Sequence, residues 1–261
     1  MSLYTQTSGQ GPALLLIHGW SLHGGIWDEF VPLLERDFRI TRIDLPGHGR
    51  SEWNNEVTLD DMAAAVLASV PEPAAWLGWS LGGLVAQQVA LLEPGRVERM
   101  ILLGSTPSFV RREDWACAVE AAVFEKFNDD LLNDPRATLL RFIALQTRGS
   151  KQAGDDARLL KRMLLEPAPD SEALQAGLQL LRQVDLREQA RKNHAPTLLL
   201  AGTRDTLVPK QALSAMAALF PNAGLALIDR AGHAPFLSHR DETYKVIHRF
   251  MTDTALVSEH A

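Results

Sequence analysis

Three residue types at three separate places supply what hydrolysis through a covalent intermediate requires. Gly78-Trp79-Ser80-Leu81-Gly82 has the spacing G-x-S-x-G, with the apolar run Ala74-Ala75-Trp76-Leu77 before it and a helix-like run from Leu81 to Leu92 after it. Such a turn from strand to helix holds the serine in a strained conformation, and the glycines let the chain pack closely around it. Ser80 is therefore the expected nucleophile. A serine hydroxyl attacks poorly until a base takes its proton, and the base needs a carboxylate to fix its tautomer and stabilise the imidazolium. The run Thr197 to Gly202 delivers Asp205 into a loop, and the run Leu225 to Ile228 is followed by Gly232-His233-Ala234-Pro235-Phe236. Both loops fall at the carboxyl ends of strands, so Asp205 is the expected acid and His233 the expected base. A loop aspartate can instead cap a helix, and a loop histidine is ordinarily solvated; the joint arrangement favours catalysis. Asp229, His239 and His248 are weaker alternatives, placed at a strand end or in the helical region that follows.

Acyl transfer also needs donors for the tetrahedral oxyanion. The amide of Leu81, next after the nucleophile, is one candidate. The amide of Trp20, in the loop His18-Gly19-Trp20 after the run Leu14 to Ile17, is the other, and its indole would wall the acyl site. The stretch Asp44-Leu45-Pro46-Gly47-His48-Gly49-Arg50-Ser51 reads as architecture, because proline and two glycines specify a tight loop. The chain has no H-E-x-x-H, no cysteine pair, no ligand spacing among its histidines and no Walker-type loop, so neither a metal nor a cofactor is expected. Cys117 has no elbow and no recognisable histidine partner, which argues against it as a nucleophile.

The elements that must position these groups are legible as short apolar runs at Ala13 to His18, Phe38 to Ile43, Ala74 to Trp79, Met100 to Leu103, Thr197 to Ala201 and Leu225 to Ile228. They lack polar alternation, as parallel strands covered on both faces do. Helix-like segments such as Leu59 to Val70 lie between them, which predicts an open, mostly parallel α/β sheet. From about Phe109 to Arg187 the pattern is helical throughout. An insertion there would lie over the carboxyl ends of the strands, where such sheets bind ligands. The expected organisation is a core of 1–108 and 188–261 with a helical cap at 109–187, and Ala255 to Ala261 as a frayed end.

With 261 residues, 46% of them hydrophobic, the chain is long enough for one globular domain with an insertion. Its 26 basic and 32 acidic residues sum to −6, which disfavours a nucleic-acid partner. No apolar run approaches the roughly 20 residues of a membrane span. A single cysteine and an N-terminal stretch without a basic start or apolar run point to the cytoplasm. A monomer is expected, since no coiled-coil repeat or unusual apolar stripe appears.

The motifs H-G-W, D-L-P-G-H-G-R-S, G-W-S-L-G-G, G-T-R-D and G-H-A-P-F follow one another in the order of the α/β-hydrolase superfamily, which this chain resembles over nearly its whole length. The chain order of Ser80, Asp205 and His233 is that of the superfamily and differs from the chymotrypsin and subtilisin orders. More narrowly, H-G-W-S-L, A-W-L-G-W-S-L-G-G-L-V-A and Arg141-Phe142-Ile143-Ala144-Leu145-Gln146-Thr147 are similar to the pimeloyl-acyl-carrier-protein methyl ester esterases of biotin synthesis. The resemblance implies cleavage of a methyl ester from a pimeloyl chain borne on acyl carrier protein. Carried over by position, the substrate contacts are Trp20, Ser80, Leu81, Phe142, Ile143, Ala144, Leu145, Gln146 and His233. Phe142 and Leu145, three apart on one helix, would line an apolar channel.

Between positions 136 and 162 stand Arg136, Arg141, Arg148, Lys151, Arg158, Lys161 and Arg162 against only Asp155 and Asp156, a local charge of +5. Arg158, Lys161 and Arg162 would form one basic face, with Leu159, Leu160 and Met163 turned elsewhere. Charge runs are usually solvated faces; the resemblance favours docking of an acidic carrier protein on Arg136, Arg141, Arg148, Lys151, Arg158 and Arg162. Two arginines of the family pattern appear here as Ala137 and Gly154, which neighbouring basic residues would replace. The rival readings are a general small-ester hydrolase, lactonase or carbon-carbon bond hydrolase on the same fold, and a ligand-binding protein without catalysis.

Overall fold

In the computed structural model, which describes residues 3–53, 58–147, 153–165 and 168–253, each expected apolar run is a strand. The strands are β1 (Thr5–Ser8), β2 (Ala13–Ile17), β3 (Arg39–Ile43), β4 (Ala74–Trp79), β5 (Val97–Leu103), β6 (Thr197–Gly202) and β7 (Ala223–Ile228). They form one sheet in the order β1-β3-β2-β4-β5-β6-β7, parallel except for β1, which runs antiparallel to β3. β4 and β6 are buried at every residue, which explains their unbroken apolar sequences. β7 lies at the edge and leaves Leu225 and Leu227 exposed. The sequence reading missed β1, whose Thr-Gln-Thr-Ser is polar and largely exposed; its signal is tertiary, namely pairing with β3 and the contact of the Thr7 and Thr41 hydroxyls at 3.1 Å.

Helices α1 (Val31–Leu34), α2 (Leu59–Ser69) and α3 (Leu81–Leu92) connect the first strands. Four longer helices fall between β5 and β6: α4 (Ala121–Asn133), α5 (Pro135–Gln146), α6 (Ala153–Leu165) and α7 (Ser171–Gln183). They are followed by α8 (Arg187–Ala190), α9 (Lys210–Ala217), α10 (Pro235–Ser238) and α11 (Arg240–Thr252). Local chemistry sets several of their starts. Thr58 and Asp61 form a reciprocal capping box on α2, Asp134 caps α5 ahead of Pro135, and the Asp170 carboxylate accepts from two amides of α7.

The expectation that 109–187 is helical throughout is corrected at its start. Residues 109–120 form turns with isolated bridges between Val110 and Val119 and between Arg112 and Trp115. Long-range partners hold this stretch out of a helix: the Trp115 indole donates to the Ser108 carbonyl at 3.0 Å, and Arg187 lies over its ring. Arg187 also pairs with Asp114 at 2.8 Å and with Asp185 at 2.8 Å, while Arg112 reaches Asp185 at 3.1 Å. These ion pairs tie the two ends of the insertion together. No helix among the described residues is long and apolar enough to cross a membrane, and Ala255 to Ala261, expected as a frayed end, lie outside the described residues.

Beside the front of the sheet, the loops after β2 and β3 are joined by buried polar groups. Asp44 accepts from the amides of Gly24 at 2.6 Å and Arg50 at 2.9 Å, while Ser51 Oγ donates to its carbonyl at 2.6 Å. His18, fully buried, accepts from the Leu45 amide through Nε2 at 2.9 Å and meets the Gly19 carbonyl through Nδ1 at 2.8 Å. Burial first, then the neighbouring His48 and His23, push His18 well below the ordinary value of 6.5, against the pull of the Gly19 carbonyl. His48 is lowered too, mainly by burial, with Pro46, Asp44 and Asp170 opposing and His23 adding. Below about pH 6.5 the unfolded chain binds protons at these positions that the folded chain refuses, so stability falls as pH falls through that range. Thermal melts should show a lower Tm at pH 5 than at pH 7.5, and His48→Asn should narrow the difference; an unchanged difference would refute the account.

Candidate active site

The turn from β4 into α3 places Ser80 at φ 54° and ψ −117°, a region that costs a non-glycine residue roughly 1–3 kcal/mol. Surrounding contacts enforce it. The Ser80 amide donates to the Leu103 carbonyl at 3.0 Å, and its carbonyl accepts from Ser105 Oγ at 2.7 Å and the Gly83 amide at 2.9 Å. A Cβ at Gly78 would sit 2.3 Å from the Gly82 carbonyl oxygen, and one at Gly82 would sit 2.4 Å from the Ile17 oxygen. Glycine is thus required at both ends of the G-x-S-x-G turn, for backbone clearance.

Asp205 and His233 come together as the sequence suggests. Oδ2 of Asp205 accepts from His233 Nδ1 at 2.8 Å, while Oδ1 accepts from the amides of Leu207 at 2.8 Å and Val208 at 2.9 Å. The carboxylate is fully engaged, and its placement puts the imidazole proton on Nδ1. His233 Nε2 is buried without a hydrogen-bond partner, so its lone pair is uncommitted. The His233 carbonyl accepts from the Trp79 indole at 3.0 Å, which links the histidine loop to the residue before Ser80. The alternatives are engaged elsewhere: Asp229 with Arg230 and Thr203, His239 with Ser238, and His248 beside Asp37.

Gly19 packs against Ser80 so closely that a Cβ there would lie 3.2 Å from Ser80 Cβ, and Trp20 follows directly. The Leu81 amide opens α3, where first-turn amides have no acceptor within the helix. Both candidate oxyanion donors therefore flank Ser80. The Trp20 indole donates to the Leu174 carbonyl at 2.8 Å and meets Phe142 and Phe127 edge-on, with centroids 5.1 Å and 5.6 Å away.

The family defined by the alpha/beta hydrolase fold matches residues 12–240. This chain belongs to the α/β-hydrolase family. It is 44% identical over 255 residues to a protein of Methylococcus capsulatus named pimeloyl-[acyl-carrier protein] methyl ester esterase, covering 97% of this chain and 100% of that one. A protein of the same name from Aliivibrio salmonicida is 41% identical, with 96% of each chain covered. Among solved structures, an esterase from Exiguobacterium antarcticum superposes with a TM-score of 0.89 over 96% of both chains at 21% identity, a likeness of fold.

In this hydrolase a pocket of about 550 Å³, open solvent at its mouth included, has Ser80 in its lining. Trp20, Phe142 and Leu145 line it, as expected, and so do Phe109, Val119, Val123, Phe124, Phe127, Leu178, Leu181 and Leu207. Those eight were missed by sequence reasoning; Val123, Phe124 and Phe127 carried a signal, as an apolar stripe on one face of α4. Ile143 and Gln146 are buried and Ala144 is exposed, and none of the three belongs to the cavity lining. Ser80 supplies the one hydroxyl among the lining residues, and none of them is charged. Cys117 is half-buried, and burial raises its thiol.

On the outer surface, Arg136, Arg158, Lys161 and Arg162 are exposed, while Leu160 and Met163 turn inward. Arg141 bonds Asp130 of α4 at 3.1 Å and Thr138 at 2.9 Å, and Arg158 pairs with Asp155. Arg148 and Lys151 lie outside the described residues.

The residue with the least visible sequence signal is Gly177 of α7, where a Cβ would sit 2.7 Å from Trp20 Cδ1. Gly177→Ala should destabilise the protein by about 1–3 kcal/mol through overpacking and slow ester hydrolysis by displacing the indole. Chemical denaturation and steady-state rates check this; wild-type values in both would show that the contact is idle.

Proposed function

We propose that this hydrolase is a serine carboxylesterase cleaving the methyl ester of pimeloyl-acyl carrier protein to pimeloyl-acyl carrier protein and methanol in biotin synthesis. The observation that carries the reading is an uncharged pocket whose apolar lining includes a single hydroxyl, that of Ser80, suited to an acyl chain bearing an ester. The relatives at 44% and 41% identity, matched over nearly their full length, supply the specific substrate.

In this mechanism Ser80 is the nucleophile, His233 the base and Asp205 the acid that orients it. His233 Nε2 takes the Ser80 proton as Oγ attacks the ester carbonyl, and the Trp20 and Leu81 amides hold the oxyanion. The intermediate collapses by breaking the carbonyl carbon's bond to the methoxy oxygen, which leaves as methanol with the proton from His233. Water then gives a proton to His233 and attacks the acyl-enzyme; Ser80 departs with that proton, and the pimeloyl carboxylate is released. The segment 109–187 serves as the cap that encloses the chain, with Trp20, Phe142 and Leu145 in contact with it.

The carrier protein docks on the outer face of α5 and α6. Arg136, Lys161 and Arg162 offer exposed charge, and Arg141 and Arg158 exchange Asp130 and Asp155 for carboxylates of the carrier. The exchange costs little, because exposed ion pairs are worth about 0–1 kcal/mol.

Ser80→Ala should abolish turnover and labelling by a fluorophosphonate while the Tm stays near that of the wild type. Asp205→Asn should lower kcat by about 10³–10⁴-fold. Substantial hydrolysis by Ser80→Ala would overturn the assignment of the nucleophile. For the carrier, Arg141→Glu with Arg158→Glu should slow cleavage of pimeloyl-acyl-carrier-protein methyl ester, scored by mass spectrometry, and leave a free short-chain ester unaffected. Hydrolysis of free esters alone by the wild type would move the protein to the general esterase reading.

A further inference from the structure

His18 is fully buried beside the site, and the mechanism above gives it no task. Its two ring nitrogens have different partners. The Leu45 amide can only donate, so Nε2 at 2.9 Å from it is the acceptor and the ring proton sits on Nδ1. Nδ1 therefore donates to the Gly19 carbonyl at 2.8 Å. That carbonyl belongs to the same peptide unit as the Trp20 N–H. We propose that His18 is a positioning residue that aims the Trp20 amide at the oxyanion by anchoring the opposite end of its peptide.

The inference rests on the assignment of Ser80 as nucleophile and of the Trp20 amide as oxyanion donor. In a planar trans peptide the C=O and N–H point in opposite directions. Fixing the Gly19 oxygen on His18 thus fixes the direction of the Trp20 N–H. The other restraints on this loop act on different atoms. The Leu174 carbonyl holds the Trp20 indole, and the contact of Gly19 with Ser80 sets how near the loop comes. Neither determines rotation of the peptide plane. Donation to the carbonyl also polarises the unit, which strengthens its N–H as a donor. His18 spans both jobs because its δ nitrogen donates to the oxyanion loop while its ε nitrogen accepts from the loop after β3. Leu45 in turn follows Asp44, whose carboxylate gathers the amides of Gly24 and Arg50, so the ring is braced by a fixed frame.

Two substitutions separate positioning from simple support. An asparagine amide at position 18 reaches the place of Nδ1 and can donate to the Gly19 oxygen; a glutamine amide reaches the place of Nε2 and can serve Leu45. The assay is hydrolysis of p-nitrophenyl butyrate, with inhibition by a trifluoromethyl ketone that forms a tetrahedral oxyanion on the serine. His18→Gln should lower kcat by about 10–100-fold, up to the loss expected for one oxyanion donor, with KM within about two-fold, and should weaken the ketone by a similar factor. His18→Asn should recover about ten-fold of that kcat, and the two variants should melt within a few degrees of each other. Equal kcat in the two variants, a loss confined to KM, or unchanged ketone affinity overturns the proposal. If His18→Gln fails to fold, His18→Asn decides alone: kcat within about ten-fold of wild type supports the proposal and a larger loss overturns it. Ser80→Ala runs in parallel; turnover without that hydroxyl would instead overturn the assignment of the nucleophile.

Discussion

Backbone clearance around Ser80 is the constraint on which the site depends. Gly82 lies so close to the Ile17 and His18 carbonyl oxygens that no side chain fits between them. This approach brings the carboxyl end of β2 against the start of α3, and the loop carrying Gly19 and Trp20 arrives beside Ser80. Because Gly83 faces Ser105 with equally little space, the end of β5 is drawn into the same knot. The strained backbone of Ser80 is held from β5 as well as from its own turn, through the Leu103 carbonyl and Ser105 Oγ. Such strain persists where surrounding structure over-determines a residue, as the end of β5 and the turn into α3 do here.

A second consequence concerns polar groups in a largely apolar setting. Asp205 is buried, yet two amides and the imidazole satisfy its oxygens, so the site bears the cost of desolvating a carboxylate by saturating it. His18 and Asp44 follow the same rule in the neighbouring loops. The inserted helices meet this polar layer through Trp20, whose indole is bonded to α7 and packed against aromatic rings of α4 and α5. One residue thus belongs to the core by its backbone and to the insertion by its side chain.

The core strands, the turn at Ser80 and the loops that pair Asp205 with His233 were legible because their signals are local: a buried strand is a short apolar run, and the turn is a pair of glycines at fixed spacing. β1 was not legible, since Thr-Gln-Thr-Ser becomes a strand only when β3 offers its edge. Residues 109–120 misled for the converse reason. Their composition suits a helix, but Ser108 and Arg187 capture Trp115 from outside the segment. Within the inserted helices, charge counting over 136–162 registered Arg141 as a free cation because its partner Asp130 lies just outside that window. Gly177 was silent altogether: a lone helical glycine acquires meaning only once the Trp20 indole is seen beside it.

The uncharged lining of the cavity bears on what happens after the ester is cut. On the proposed reaction a methyl ester would enter such a space as a nearly neutral tip, while the product would bear a full negative charge on its carboxylate oxygens. Apolar walls welcome the first and reject the second, since a carboxylate taken from water without a cation is strongly disfavoured. On the proposed reaction, such a chamber would act as a polarity filter, favouring departure of the unmasked chain over its return.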